Sequence, residues 1–251
     1  MFYLVGIGLK PKHLTIEAIE ALKKCEQVFL DNYTSRYAEG SIEELGVLIG
    51  NKITALGRKG IEEEFGPVLK ASKGKDIALL VYGNCLTATT HVQLLIDAKK
   101  MGIKTAVIPG ISMTNMLGKT GLDEYRFGRT VSIVFQEKNY EPKSFYDQII
   151  DNQKIGLHTL CLLDIRADEK KLMGVQEGLK ILEKIEKNRG KDVVKESKII
   201  GLYALGSKAE KIKAGNMNEL IKSDLGGFPQ AMVICGKMNE KEEEAVAALN
   251  V

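Results

Sequence analysis

The segment "DIALLVYG" (76–83) is apolar without a break from Ile77 to Val81. A strand with one wet face would alternate apolar and polar residues. An unbroken run predicts a strand buried on both faces, the habit of parallel sheets layered between helices. Moving outward, "FYLVGIG" (2–8), "QVFLDN" (27–32), "KITALG" (52–57) and "KTAVIPG" (104–110) read as further strands, separated by helix candidates. One such helix is "LTIEAIEALKKC" (14–25), with Thr15 as its cap and Glu17 in its first turn. Another is "SIEELGVLIG" (41–50), where Ser41 and Glu44 make a capping box and Gly50 closes the helix.

Farther along, "TVSIVFQ" (130–136), "LHTLCLLDI" (157–165), "KIIGLYALG" (198–206) and "AMVICGK" (231–237) are expected strands. A long charged helix is expected from about Asp168 to Asn188, and "NEKEEEAVAALN" (239–250) reads as a closing helix. The polar, turn-rich "KTGLDEYRFGRT" (119–130) sets the expected domain boundary. It gives an N-terminal α/β domain over 1–120 and a C-terminal α/β domain over 121–251, with a ligand cleft between them.

Composition narrows the function. With 44% hydrophobic and 27% charged residues, 251 residues form an ordinary soluble globular protein with a sizeable core. The net charge of +3 (36 basic, 33 acidic) gives no reason to expect nucleic acid, and the lysines mix with glutamates as on a solvated helix face. No signal segment and no apolar run long enough for a membrane helix is present. The cysteines Cys25, Cys85, Cys161 and Cys235 are scattered without ligand spacing, so a reducing cytoplasm is expected and a metal is not.

In parallel sheets ligands gather at the carboxyl ends of the strands. That rule selects "GIGLK" (6–10), "DNYTSRY" (31–37), "GNCLTATTH" (83–91), "PGISMTN" (109–115) and "LLDIRA" (162–167). "GIGLKP" (6–11) begins like a dinucleotide fingerprint, with Asp31 placed for a ribose, but position 11 is Pro where the third glycine belongs. Cys85 has no base in reach, because His91 is expected well up the following helix on another face. His91 likewise lacks partners for a metal. Thr87, Thr89 and Thr90 are read as caps of that helix. On its residues alone, "TGLDEYRFG" (120–128) reads as a turn with Tyr125 and Phe127 packed.

Taken in order, "YLVGIGL" at the start, "YTS" at Tyr33–Ser35, "LTATTH" (86–91), "TGLDEYRFG" (120–128) and "GLHTLCLLDI" (156–165) resemble the diphthine synthases of the tetrapyrrole-methylase superfamily, over nearly the whole chain. "GSKAEKIKAG" (206–215) matches the late loop of that family in placement. The resemblance implies a two-domain fold with a mostly parallel N-terminal sheet and a mixed C-terminal sheet, a homodimer, and S-adenosylmethionine as methyl donor, with S-adenosylhomocysteine as product. It implies translation elongation factor 2 as protein substrate, methylated on its aminocarboxypropyl-modified histidine. Carried over by position, the donor-binding residues are Leu9, Asn84, Thr87, Ser112, Met113, Leu163, Leu205 and Gln230. Such a mixture of apolar walls and a few polar groups suits a small-molecule site. No general base is implied; Tyr33, Tyr125 and His91 are polar and close to the motifs, with buried or capping roles preferred for each.

Two departures stand out. Gly83-Asn84-Cys85 replaces the family's Gly-Asp-Pro, and Gln230 stands where His is common. Asn keeps an acceptor oxygen but loses the charge, worth about 1 kcal/mol in a hydrogen bond. Two rival readings follow: another branch of the superfamily acting on a tetrapyrrole or RNA, and a non-catalytic binder that keeps the fold.

Overall fold

The computed structural model describes residues 1–167, 169–223 and 225–249. The chain divides into two compact units, Met1–Asn115 with Arg166–Lys171 and Met116–Ile165 with Leu172–Val251.

The first unit carries, in order, β1 (Phe2–Gly6), α1 (Ile16–Leu22), β2 (Gln27–Asp31), α2 (Ile42–Ile49), β3 (Ile53–Leu56), α3 (Arg58–Glu62), α4 (Phe65–Ala71), β4 (Ile77–Val81), α5 (Val92–Lys100) and β5 (Thr105–Ile108). Its five strands form one parallel sheet in the order β3-β2-β4-β1-β5. Strand alternation divides the apolar run of β4 between two cores. Ala78 and Leu80 pack with Leu22, Leu45 and Ile49 of α1 and α2, whereas Leu79 and Val81 pack with Ile61, Phe65, Leu69 and Ala98 of α3, α4 and α5. All five residues of β4 are buried, which is why the run carries no polar positions. Truncating Leu79 or Leu80 to Ala would cost about 3 kcal/mol.

Local signals hold at the expected helix ends, although of the Ser41–Glu44 capping box only the Ser41 half forms. Thr15 Oγ1 accepts from the Ala18 amide at 3.1 Å, Ser41 Oγ accepts from the Glu44 amide at 3.2 Å, and Gly50 ends α2 at φ 67°.

The second unit carries β6 (Val131–Ile133), α6 (Ser144–Lys154), β7 (Thr159–Leu163), α7 (Val175–Arg189), α8 (Val193–Glu196), β10 (Ile199–Tyr203), β11 (Lys211–Gly215), α9 (Met217–Lys222), β12 (Gln230–Ile234) and α10 (Glu240–Ala248). Between β7 and α7, β8 (Ile165–Arg166) and β9 (Lys171–Leu172) pair as a two-stranded ribbon. The sheet order is β11-β10-β12-β7-β6, antiparallel except for β6 against β7, so it is the mixed sheet anticipated. Val131, Ile133, Cys161, Met232 and Ile234 pack with Tyr146 and Ile149 of α6, Leu179, Leu182 and Ile185 of α7, and Leu220 of α9.

Two expectations change here. The charged helix starts at Val175 behind the N-cap Gly174, because the ribbon occupies the preceding residues and Lys170 sits at φ 56°. Asp168, the expected start, lies outside the described residues, as does Asn250 at the end of the closing helix. The segment 206–215 is only half loop: Lys211–Gly215 is the edge strand β11, paired to β10 alone.

Candidate active site

At the carboxyl ends of β1, β4 and β5 the backbones meet with no side chain between them. A Cβ on Gly6 would lie 2.6 Å from the Gly110 nitrogen and 2.7 Å from the Gly83 oxygen, and one on Gly110 would lie 2.3 Å from that oxygen. Gly8 and Gly83, at φ 73° and 71°, exchange backbone hydrogen bonds of 3.1 and 2.9 Å. Only glycine takes these dihedrals without strain. The "GIG" of the first loop is thus committed to joining strand ends.

The loop after β4 turns on Asn84, whose Oδ1 accepts from the Leu86 amide at 3.0 Å while its carbonyl accepts from the Thr87 amide at 3.2 Å. This local turn engages the side-chain oxygen of the half-buried Asn84, so its Nδ2 is the group left to donate to a ligand. Cys85 points the other way: it is fully buried, and its thiol donates to the Leu4 and Ile108 carbonyls at 3.6 Å each. Burial pushes its pKa up, so it is no nucleophile. Thr87 is exposed, and Ala88 takes the left-handed conformation at φ 54°.

The expected capping does not occur, because α5 begins only at Val92. Its N-cap is His91, with helical dihedrals and no side-chain cap. The His91 ring folds back beneath the loop, 4% exposed, with Nε2 3.1 Å from Oδ2 of Asp31 and Nδ1 bonded to Thr89 Oγ1. Asp31 is fully buried at the end of β2. Its Oδ1 accepts from the Tyr33 and Thr34 amides at 3.1 and 3.3 Å, and its Oδ2 from Thr34 Oγ1 at 2.8 Å. A carboxylate so occupied is no ribose contact, which removes the dinucleotide reading on physical grounds. Tyr33 itself reaches Glu62 Oε1 at 2.9 Å, and burial, then that hydrogen bond, pushes its hydroxyl well above the usual tyrosine range. Tyr37 donates to the Ile7 carbonyl at 3.0 Å and meets Tyr82 edge to face at 4.9 Å, tying three of the loops together.

Beside Gly83, the buried Ser112 is fixed by Thr114 Oγ1 at 2.5 Å and Asn115 Oδ1 at 3.2 Å, with Met113 starting the 3-10 run Met113–Thr120. Leu9 follows the Gly8 turn, its amide 3.4 Å from Nδ1 of His13. The first unit therefore gathers Leu9, Asn84, Thr87, Ser112 and Met113 on the loops at one end of its sheet. In the second unit the pairings Tyr203↔Gln230 and Leu162↔Ala231 put Leu163, Gln230 and the Leu205 turn at one end of the other sheet. Leu163 and Leu205 are buried, and Ala204 is left-handed at φ 46°. Gln230 is saturated: Nε2 donates to the Gly226 and Gly227 carbonyls at 3.2 and 3.0 Å, and Oε1 accepts from the Val175 amide at 2.8 Å. Its side chain anchors the start of α7.

The two most specific motifs of the second unit converge on a carboxylate that sequence reading missed. Glu242 of α10, 2% exposed, accepts from the Asp123 amide at 3.0 Å, lies 3.0 Å from His158 Nε2, and pairs with Arg126 Nε at 3.3 Å. His158 Nδ1 accepts from the Gly236 amide at 2.9 Å. The segment 120–128 is a structural knot. Contrary to expectation, Tyr125 is not packed in it but is 95% exposed. The only local signal was the capping box in which Glu242 also serves with Asn239.

The family model of the Tetrapyrrole (Corrin/Porphyrin) Methylases matches residues 1–221. The chain is 37% identical over 251 residues to a diphthine synthase of Methanococcus aeolicus, covering 99% of this chain and 98% of that one. It is 38% identical over 253 residues, with the same coverage, to a diphthine synthase of Methanocaldococcus jannaschii. A crystal structure of a diphthine synthase superposes with a TM-score of 0.89 at 28% identity, covering 99% of this chain and 95% of that one. These matches run through both units and do not favour the two rival readings. The chain belongs to the tetrapyrrole (corrin/porphyrin) methylases and, within them, to the diphthine synthase family.

Proposed function

We propose that the protein is an S-adenosylmethionine-dependent methyltransferase of diphthamide biosynthesis. Its substrate is translation elongation factor 2 bearing the aminocarboxypropyl-modified histidine, which it methylates on the amino group to give diphthine, releasing S-adenosylhomocysteine. The observation that carries this reading is the end-to-end similarity to diphthine synthases, spanning 99% of the chain.

The donor supplies a methyl group already activated on a sulfonium, so the protein's part is alignment and proton removal. Leu9, Asn84, Thr87, Ser112, Met113, Leu163, Leu205 and Gln230 are the proposed donor-binding residues. The fit is good for most of them. The glycines join the strand ends and so fix the loops that carry these residues; Leu9, Met113, Leu163 and Leu205 are apolar, and the Asn84 amide and the exposed Thr87 hydroxyl offer polar contacts. Gln230 fits by position only, since its side chain is saturated by protein partners. A cytoplasmic homodimer is part of the same reading. Among the described residues no helix is long and apolar enough to cross a membrane.

The test is to titrate the purified protein with S-adenosylmethionine and S-adenosylhomocysteine, then to assay methyl transfer to elongation factor 2 carrying the unmethylated side chain. Binding and transfer are expected. Failure to bind either ligand would overturn the proposal.

A further inference from the structure

The loop after β4 holds an arrangement that the methyl-donor reading does not use. Thr89, His91 and Asp31 stand in the order hydroxyl, imidazole, carboxylate. The carboxylate end is fixed by three donors from Tyr33 and Thr34, and both Asp31 and His91 are buried. Nε2 of His91 stands 3.1 Å from Asp31 Oδ2, a charge contact whose angle falls short of a hydrogen bond; the carboxylate draws the ring proton to Nε2 by its charge alone, and Nδ1 then accepts from the Thr89 hydroxyl. A buried carboxylate in this place holds one tautomer and stabilises the imidazolium when the ring takes a proton. At the other end Thr89 is half-buried, two residues from Thr87 of the proposed donor-binding set, and its Oγ1 also accepts from the His91 amide at a long 3.4 Å, which leaves one lone pair for a ligand. Between them Ala88 is held left-handed, a strain of about 1 kcal/mol of the kind that collects at functional sites.

We propose that Thr89, His91 and Asp31 are the route by which the acceptor amine loses its proton before methyl transfer. This rests on the methyltransferase reading. The ammonium gives a proton to Thr89 Oγ1 as the Thr89 hydroxyl proton passes to Nδ1 of His91, and Asp31 balances the resulting imidazolium. The freed amine lone pair then forms the N–C bond while the C–S pair departs on sulfur, and the imidazolium returns its proton to water. Thr89 is the group that meets the amine; His91 and Asp31 act through it. The other titratable groups acting on this cluster are Tyr33, after β2, bonded to Glu62 of α3, and Tyr82, after β4, under the influence of Arg36.

The experiment uses the full-length protein and the variants Thr89→Val, Thr89→Ser, His91→Gln and Asp31→Asn. Thermal melting checks folding, calorimetry with S-adenosylhomocysteine reads donor binding, and single-turnover transfer to unmethylated elongation factor 2 is followed from about pH 6 to about pH 9. Thr89→Val is expected to bind the product within about twofold of wild type, whereas His91→Gln also loosens the loop that carries Asn84 and Thr87 and binds more weakly. Both should lose about 100-fold in transfer rate, and the rate should climb with pH across the whole range because hydroxide now does the work. Thr89→Ser should keep most of the rate. A loop staple alone would lower melting temperature and donor affinity while leaving the shape of the pH profile unchanged, and that result overturns the relay. So does a wild-type rate and profile in folded Thr89→Val, the variant that disturbs the buried pair least. A wild-type protein that transfers no methyl at all overturns the parent reading, and the relay with it.

Discussion

Replacing Asn84 by Asp restores the residue type the family resemblance leads one to expect, and the geometry fixes what should follow. Oδ1 already accepts from the Leu86 amide at 3.0 Å, so a carboxylate keeps that turn and makes its bond charge-assisted. The change of chemistry falls on the Nδ2 position, where an amide donor becomes an anionic acceptor. A hydrogen bond to a charged group contributes about 2 kcal/mol against about 1 kcal/mol for a neutral one, and the site is only half-buried, so desolvation takes little of the gain. If the ligand group facing position 84 is a hydroxyl, it can rotate from accepting to donating. Binding should then tighten by about 1 kcal/mol, roughly fivefold in Kd. Calorimetric titration of both proteins with S-adenosylhomocysteine measures this, and the melting temperature of each ligand-free protein reports the Leu86 half separately. Weaker binding by Asn84→Asp would refute the reasoning, because it would mean that the ligand presents an acceptor and needs the amide. An unchanged Kd would show that Asn84 Nδ2 does not face the donor.

Other outcomes can be checked alongside. The four cysteines are buried, and burial pushes Cys25 up to about 11 and Cys235 up to about 12, so a thiol reagent should react only with the denatured protein. The same shifts fix a sign. The unfolded thiols ionise first, near about pH 8.5, so stability to denaturant should fall as pH rises beyond that point. Gly110→Ala places a Cβ 2.3 Å from the Gly83 oxygen, which is backbone and cannot yield cheaply; a loss of about 3 kcal/mol in urea unfolding is expected. Burial works to raise the Glu242 pKa, but the Asn239 and Asp123 amides and His158 outweigh it and hold the carboxyl below its usual range. Its stabilisation is therefore complete above about pH 4.3 and is lost as pH falls through the depressed value. Glu242→Gln should cost about 3 kcal/mol at neutral pH and flatten that acid limb in a melting series.

The parallel sheet was legible from its centre, where β1 and β4 carry the pattern that two-sided burial imposes, and the caps at Thr15, Ser41 and Gly50 were legible because each is a local hydrogen-bond rule. Edge structure was not. "KIKAG" places Lys211 and Lys213 on a strand that is paired on one side only, and such charged edges resist aggregation at the expense of looking like loop. The charged run ahead of α7 looked helical for the opposite reason: composition suits a solvated helix, while Ile165–Arg166 and Lys171–Leu172 pair as a short local ribbon whose turn carries no glycine or proline to announce it.

The misplacement of His91 is the more instructive case, because the information existed in the strand order. Starting α5 at the threonines put His91 on an outer helical face; the helix begins at Val92, so the ring stays in the loop. Its partner Asp31 is sixty positions away, and no local spacing connects them. What connects them is that β2 and β4 are neighbours in the sheet, which brings the residues following their carboxyl ends together. On its other flank β4 neighbours β1, and there Gly83 and Gly8 meet in the same way. The loop after β4 is thus held on one side by a buried acid and imidazole and on the other by a pair of glycines, with Asn84 and Thr87 between the two anchors. A side chain that both anchors over-determine can keep a strained neighbour such as Ala88, and it can present Thr89 at a fixed angle. That is why substitutions at Asp31 should be felt at Thr89 before they are felt at Leu9, although Leu9 follows the strand next in line.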